Sequence, residues 1–120
     1  MSLSEFYKKV GGDYKDVFER LGDDETIGYF AIKFLSDTSY ALIKQSLKEK
    51  NFKNAFRAAH TLKGVSQNLG FGQLVISSSA LTEALRKETQ PAQELIKQLD
   101  TDYLIVTDAI YSLKNENQAF

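Results

Sequence analysis

The stretch Asn51-Phe52-Lys53-Asn54-Ala55-Phe56-Arg57-Ala58-Ala59-His60-Thr61-Leu62-Lys63-Gly64-Val65-Ser66-Gln67-Asn68-Leu69-Gly70 decides how this chain folds. Phe52, Ala55, Ala59, Leu62, Ser66 and Leu69 recur every three or four positions, the spacing that puts side chains on one face of an α-helix. Asn51 suits the N-cap, where a short polar side chain can accept from an unpaired first-turn amide. Gly70 suits the stop, because a helix commonly ends on a glycine in the left-handed region. The spacing therefore predicts one helix reaching Leu69, with a small-to-apolar stripe facing inward.

The same period continues on both sides. Ile27, Phe30, Ala31, Phe34, Thr38, Ala41 and Leu42 predict a single long helix from Asp24 to Lys50, with a kink expected near Ser36-Asp37-Thr38. Leu74, Ser78, Leu81 and Leu85 predict a helix over about 71–87, in which the small Ser77-Ser78-Ser79 run lets neighbours approach closely. Pro91 fits a first helical position. The last helix carries Leu95, Leu99, Tyr103, Val106, Ile110 and Leu113, and frays into Asn115-Glu116-Asn117. Ahead of the long helices, a segment around Phe6 and Val10 closes at Gly11-Gly12. Asp13 then caps a short helix, Tyr14 to Leu21, ending at Gly22, and Asp23 and Asp24 put negative charge where the next helix dipole favours it. Period-two alternation never persists. The fold class expected is all-α: an antiparallel four-helix bundle with one or two short N-terminal capping helices. The chain is read as a single domain over 1–120, with the core bundle at about 24–114. Met1-Ser2-Leu3 receive no functional weight.

Composition narrows the chemistry. The 120 residues include one histidine, one methionine, no cysteine and no tryptophan. Without cysteine there is no disulfide, thiolate zinc site or iron–sulfur cluster, and one histidine cannot build a multi-histidine cage. A net charge of −1 lacks the basic excess of a nucleic-acid binder. No apolar run approaches the ~20 residues of a membrane span. The expectation is a cytoplasmic monomer with no cofactor or metal of its own.

If imidazole chemistry occurs, His60 performs it. On the helix just described it lies about 100° from Ala59 and about 160° from Leu62, toward solvent. Its neighbours one turn away are Phe56, Arg57, Lys63 and Gly64, with Gln67 two turns on. Gly64 in a helix interior costs ~1 kcal/mol against alanine, and it is neither cap nor core. A residue with no side chain there leaves the ring open to an approaching partner. Lys63 puts an ammonium where an anion attached to the imidazole would sit.

The segment Ala59-His60-Thr61-Leu62-Lys63-Gly64-Val65-Ser66-Gln67-Asn68-Leu69-Gly70 resembles the signature of histidine-containing phosphotransfer (HPt) domains. The similarity extends to Gly12-Asp13-Tyr14, Phe18-Glu19-Arg20-Leu21, Phe34-Leu35-Ser36-Asp37 and Leu81 through Arg86, about residues 12 to 113. Val65 departs from the serine or alanine more usual in that family. The resemblance implies a phosphorelay carrier. His60 would accept a phosphoryl group from a response-regulator receiver domain, or from a hybrid sensor kinase, and a second receiver would take it. Lys63 would neutralise the phosphoryl oxygens, Gly64 would give clearance, and Gln67 is a further candidate contact. Thr82 or Ser79, on the following helix, would reach the other imidazole nitrogen. Phe56 either completes the core or packs against the receiver, with Tyr14 as another docking candidate. Magnesium and the reactive aspartate would belong to the receiver, so no cofactor is implied in this chain. The module would be a carrier without autokinase activity rather than an enzyme.

Three other readings compete. A kinase dimerisation domain normally has an acidic residue directly after its histidine, where this chain has Thr61, and it needs an ATP-binding domain for which 120 residues leave no room. A non-catalytic helical adaptor would carry an unreactive histidine. A metal- or haem-binding bundle finds poor ligation in one histidine and one distant methionine.

Overall fold

The computed structural model describes residues 1–116, and within them the chain forms helices and turns with no strand. The helices are α1 (Leu3–Lys9), α2 (Tyr14–Leu21), α3 (Asp24–Lys33), α4 (Ser39–Lys48), α5 (Phe52–Leu69), α6 (Gly72–Leu85) and α7 (Gln93–Glu116). α7 stays helical through Asn115 and Glu116, where the sequence predicts fraying, and Asn117 lies outside the described residues.

Local chemistry accounts for the starts. Asp13 accepts from the Lys15 amide at 3.1 Å, Asp23 from Thr26 at 2.7 Å and Asn51 from Asn54 at 3.1 Å. Each satisfies a first-turn donor that the helix leaves unpaired. Ser2 forms a capping box with Glu5, and Leu3 is buried, so the opening residues start a real helix rather than an idle tail.

The expected helix from Asp24 to Lys50 is broken. A 3-10 turn over Phe34–Ser36 follows α3, Asp37 takes an extended backbone, and α4 restarts at Ser39. Asp37 Oδ1 accepts from the Ser39 amide at 2.9 Å, a local bond that competes with helical continuation. The break rotates everything after it. Ile27, Ala31 and Phe34 face the core as the period requires, although Phe30 of the same stripe is exposed, and α4 buries Ser39, Ile43 and Ser46, whereas Thr38, Ala41 and Leu42 are exposed. Two smaller boundaries also differ. α6 spans Gly72–Leu85 rather than 71–87, and Pro91 is buried two residues ahead of α7 rather than opening it.

α5 packs between α4 and α6, and α7 against α6. The ring closes where α4 meets α7. Tyr40 stacks on Tyr103 with 3.8 Å between ring centres, its hydroxyl donates to Asp100, and Lys44 pairs with the same carboxylate at 2.9 Å. Leu62, Leu74, Leu81, Leu99, Ile110 and Leu113 are fully buried between these helices. α1 belongs to the core rather than to its rim. Phe6, Tyr7 and Val10 are buried, Phe6 meets Phe71 with 6.0 Å between ring centres, and Phe71 meets Phe34 at 5.1 Å. The Gln73 amide donates to the Val10 carbonyl, tying the end of α1 to the start of α6.

Candidate functional site

α5 is fixed at both ends, which sets the rotation of everything on its outer face. At the start, Asn51 caps it. At the finish, Gly70 sits at φ 76°, and the Phe71 amide donates to the Ser66 carbonyl at 2.9 Å, the bond pattern of a Schellman ending. The last four carbonyls of a helix have no intrahelical partner, and here all four find one. Ser66 is taken by Phe71, and Gln67 by the Gly70 amide and Arg20 Nη2. Asn68 is taken by Arg20 Nη1 at 2.7 Å, and Leu69 by the Tyr7 hydroxyl at 2.7 Å. A β-carbon at Gly70 would lie 2.2 Å from Val17 Cγ2, so both backbone and space require glycine there.

On this fixed helix Ala55, Ala59, Leu62, Ser66 and Leu69 are buried, as the stripe predicts, and His60 is exposed. The imidazole makes no side-chain hydrogen bond among the described residues. Its contact is with Phe56, whose ring lies 6.2 Å away and tilted by 26°. Gly64 points directly away from the core, about 180° from the mean direction of the buried stripe, and His60 lies about 40° round from it. A β-carbon at Gly64 would meet nothing within 4 Å. The glycine is therefore not demanded by the fold of the chain itself.

Lys63, half-buried, and Phe56 lie on the side of α5 that faces α6. Phe56 is half-buried under the guanidinium of Arg86, 5.1 Å from its ring centre, so it is neither a full core residue nor freely exposed. Arg86 pairs with Glu83 at 2.9 Å. The Glu83 carboxyl is held below its ordinary range, chiefly by the Arg86 hydrogen bond, with the charges of Arg86 and Lys63 adding to it. A shallow cleft beside Phe56 is bordered by Lys53, Arg57, Leu85, Arg86 and Glu88, so this flank is largely cationic. On the other flank a cleft is lined by Phe30, Lys33, Phe34, Val65, Asn68 and Leu69.

The two candidates on α6 differ from each other in their surroundings. Thr82 is buried, and its hydroxyl donates to the Ser78 carbonyl of its own helix at 2.7 Å, so its one proton is engaged there. Ser79 is half-buried and makes no side-chain hydrogen bond among the described residues. Gln67 is exposed, and its backbone carbonyl is engaged by Arg20. Tyr14 is half-buried and donates its hydroxyl to Asp24. The sequence reading overlooked Glu83 and Arg86. A signal was available: they lie four and seven residues beyond Ser79, so they share its helix face.

Residues 36–114, well over half of the chain, match the family model of the Hpt domain. The chain belongs to the Hpt domain family. No curated protein and no solved structure matches it. Hpt domains are phosphocarrier modules rather than catalysts, so the function lies in phosphotransfer within two-component signalling. Hpt domains interact with receiver domains and histidine kinases. Among the described residues of this Hpt domain, no helix is long and apolar enough to cross a membrane. Nor does any group of three or more His, Asp or Glu side chains among them gather as a metal site.

Proposed function

We propose that this Hpt domain relays a phosphoryl group between receiver-domain aspartates through a phosphohistidine at His60. One observation carries the reading: an exposed imidazole, free of hydrogen bonds to the described residues, under the open space above Gly64. A neutral ring with an unengaged nitrogen is a competent nucleophile without a dedicated base. Nε2 would attack the phosphorus of an aspartyl phosphate. The nitrogen–phosphorus bond forms, the phosphorus–oxygen bond to the aspartate breaks, and the carboxylate leaves with the electron pair. The reverse step onto a second receiver returns the imidazole.

The neighbours have roles in this reading. Lys63 supplies positive charge to the phosphoryl oxygens. Gly64 gives the receiver backbone access to the reacting centre. Phe56 sets the tilt of the imidazole by ring contact, and Gln67 is a second polar contact one turn beyond Gly64. Magnesium comes with the receiver, and the carrier acts as a monomer in the cytoplasm without autokinase activity. Incubation with a phosphorylated receiver domain tests the assignment. Acid-labile label should appear on the wild type and be absent from His60→Gln. An unlabelled wild type, or equal label in the variant, would instead make the bundle a non-catalytic adaptor.

A further inference from the structure

We propose that Glu83 is a positioning residue that keeps Lys63 and Arg86, the cations around Phe56 on the α6 side of His60, engaged when the phosphoryl group is absent, and so favours handing the group on. The inference rests on the phosphocarrier reading and extends it to a residue of α6. Its geometry is a continuous chain: Glu83 Oε2 pairs with Arg86 Nε at 2.9 Å, the Arg86 guanidinium lies 5.1 Å from the Phe56 ring centre, and that ring lies 6.2 Å from the imidazole. Lys63 reaches the same carboxylate electrostatically from α5. One anion thus serves Lys63, one turn from the nucleophile on α5, and Arg86, which lies against the Phe56 ring beside it.

The consequence is a competition. A phosphoryl group on His60 would bring about two negative charges at neutral pH, and these would compete with Glu83 for Lys63 and Arg86. Drawing either toward the phosphoryl oxygens weakens its attraction to Glu83. The phosphorylated state therefore gains less from its cations than it would without the carboxylate. When the group leaves, Glu83 takes both cations back. The effect lowers the affinity of the site for the phosphoryl group and raises its tendency to transfer. Thr82 cannot play this part, because its hydroxyl is buried and turned to its own helix.

The test is the partition of label at equilibrium between this protein and a purified phosphorylated receiver. Glu83→Gln should shift the partition toward His60 by about two- to fivefold, the range expected of exposed charge pairs. Glu83→Asp should stay near wild type. The shift should shrink as salt is raised and vanish in a Lys63→Ala, Arg86→Ala background. Both partners of the Glu83–Arg86 pair are exposed, so thermal unfolding should hardly change. An unchanged partition, a shift toward the receiver, or a shift that survives loss of both cations would overturn the proposal. A wild type that accepts no label would overturn the phosphocarrier reading itself, and is seen before any variant is compared.

Discussion

Arg20 Nη1 lies 2.7 Å from the carbonyl oxygen of Asn68, and through this bond α2 closes the end of the helix that carries His60. The negative end of the α5 dipole meets a guanidinium there, and Asp16 steadies that guanidinium from one turn back at 3.2 Å. The short N-terminal helices therefore orient α5 as well as cover it.

Replacing Arg20 by alanine should lower the unfolding free energy by about 1–2 kcal/mol, the worth of charged hydrogen bonds to helix-end carbonyls. Asp16→Ala should cost less than about 0.5 kcal/mol, as an exposed pair four residues apart would. Urea unfolding midpoints check both. A loss for Arg20→Ala no larger than for Asp16→Ala would remove the terminating role.

Tyr7 couples the same helix end to alkaline pH. Burial holds its hydroxyl well above the ordinary tyrosine value of 10.0, with Arg20 pulling weakly the other way. Above that value the unfolded chain releases a proton that the folded chain retains, so the folded state binds more protons and stability falls with rising pH. The contribution is complete below about pH 10 and declines above it. Tyr7→Phe should cost about 1–2 kcal/mol at neutral pH, from the unpaired Leu69 carbonyl, yet decline less steeply above pH 10. Unfolding followed across pH in both proteins reads the difference. Identical slopes would show that Tyr7 is not the group involved.

Gly64→Gln should make the fold more stable by about 0.5–1 kcal/mol, because glutamine is the better helix former and the space around position 64 is open. The same change should reduce phosphoryl acceptance from a receiver by an order of magnitude or more. Transfer at the wild-type rate in the stabilised variant would mean that clearance over His60 is not needed.

Lys63→Ala should slow phosphoryl transfer about ten- to a hundredfold, the scale on which one charge-assisted contact to transferring oxygens acts, while far-UV circular dichroism stays unchanged. Wild-type kinetics in a fully helical variant would remove Lys63 from the site.

The register of α4 gives a plain stability test. Ile43→Ala should cost about 2–4 kcal/mol as a buried truncation, and Leu42→Ala less than about 0.5 kcal/mol, since Leu42 is 53% exposed. The opposite ranking is what an unbroken helix from Asp24 would give.

That pair also shows where sequence reading stops. α5 was legible because three independent signals agree: the Asn51 cap, the Gly70 stop and a stripe with helical period. The break after α3 was not. It depends on one hydrogen bond from the Ser39 amide to Asp37, and the new inward face uses Ser39 and Ser46, whose polarity hides it from a hydrophobic pattern. His60, Lys63 and Gly64 share one helix, so their mutual placement follows from spacing alone. Spacing puts Arg86 on the side of Ser79, but its contact with Phe56 depends on where the two helices cross, which spacing within one helix does not give. The engagement of Thr82 is hidden for a related reason: a threonine hydroxyl in a helix can turn back to the carbonyl four residues earlier.

The contact of both Phe6 and Phe34 with Phe71 bears on how the molecule can be divided. Both partners lie before residue 36, where the family match begins. Cutting the chain there would remove both aromatic partners of the buried Phe71 ring and strip the Leu69 and Asn68 carbonyls of Tyr7 and Arg20. The cooperative unit is therefore larger than the recognisable one, and a fragment trimmed to the matched segment should melt without a sharp transition.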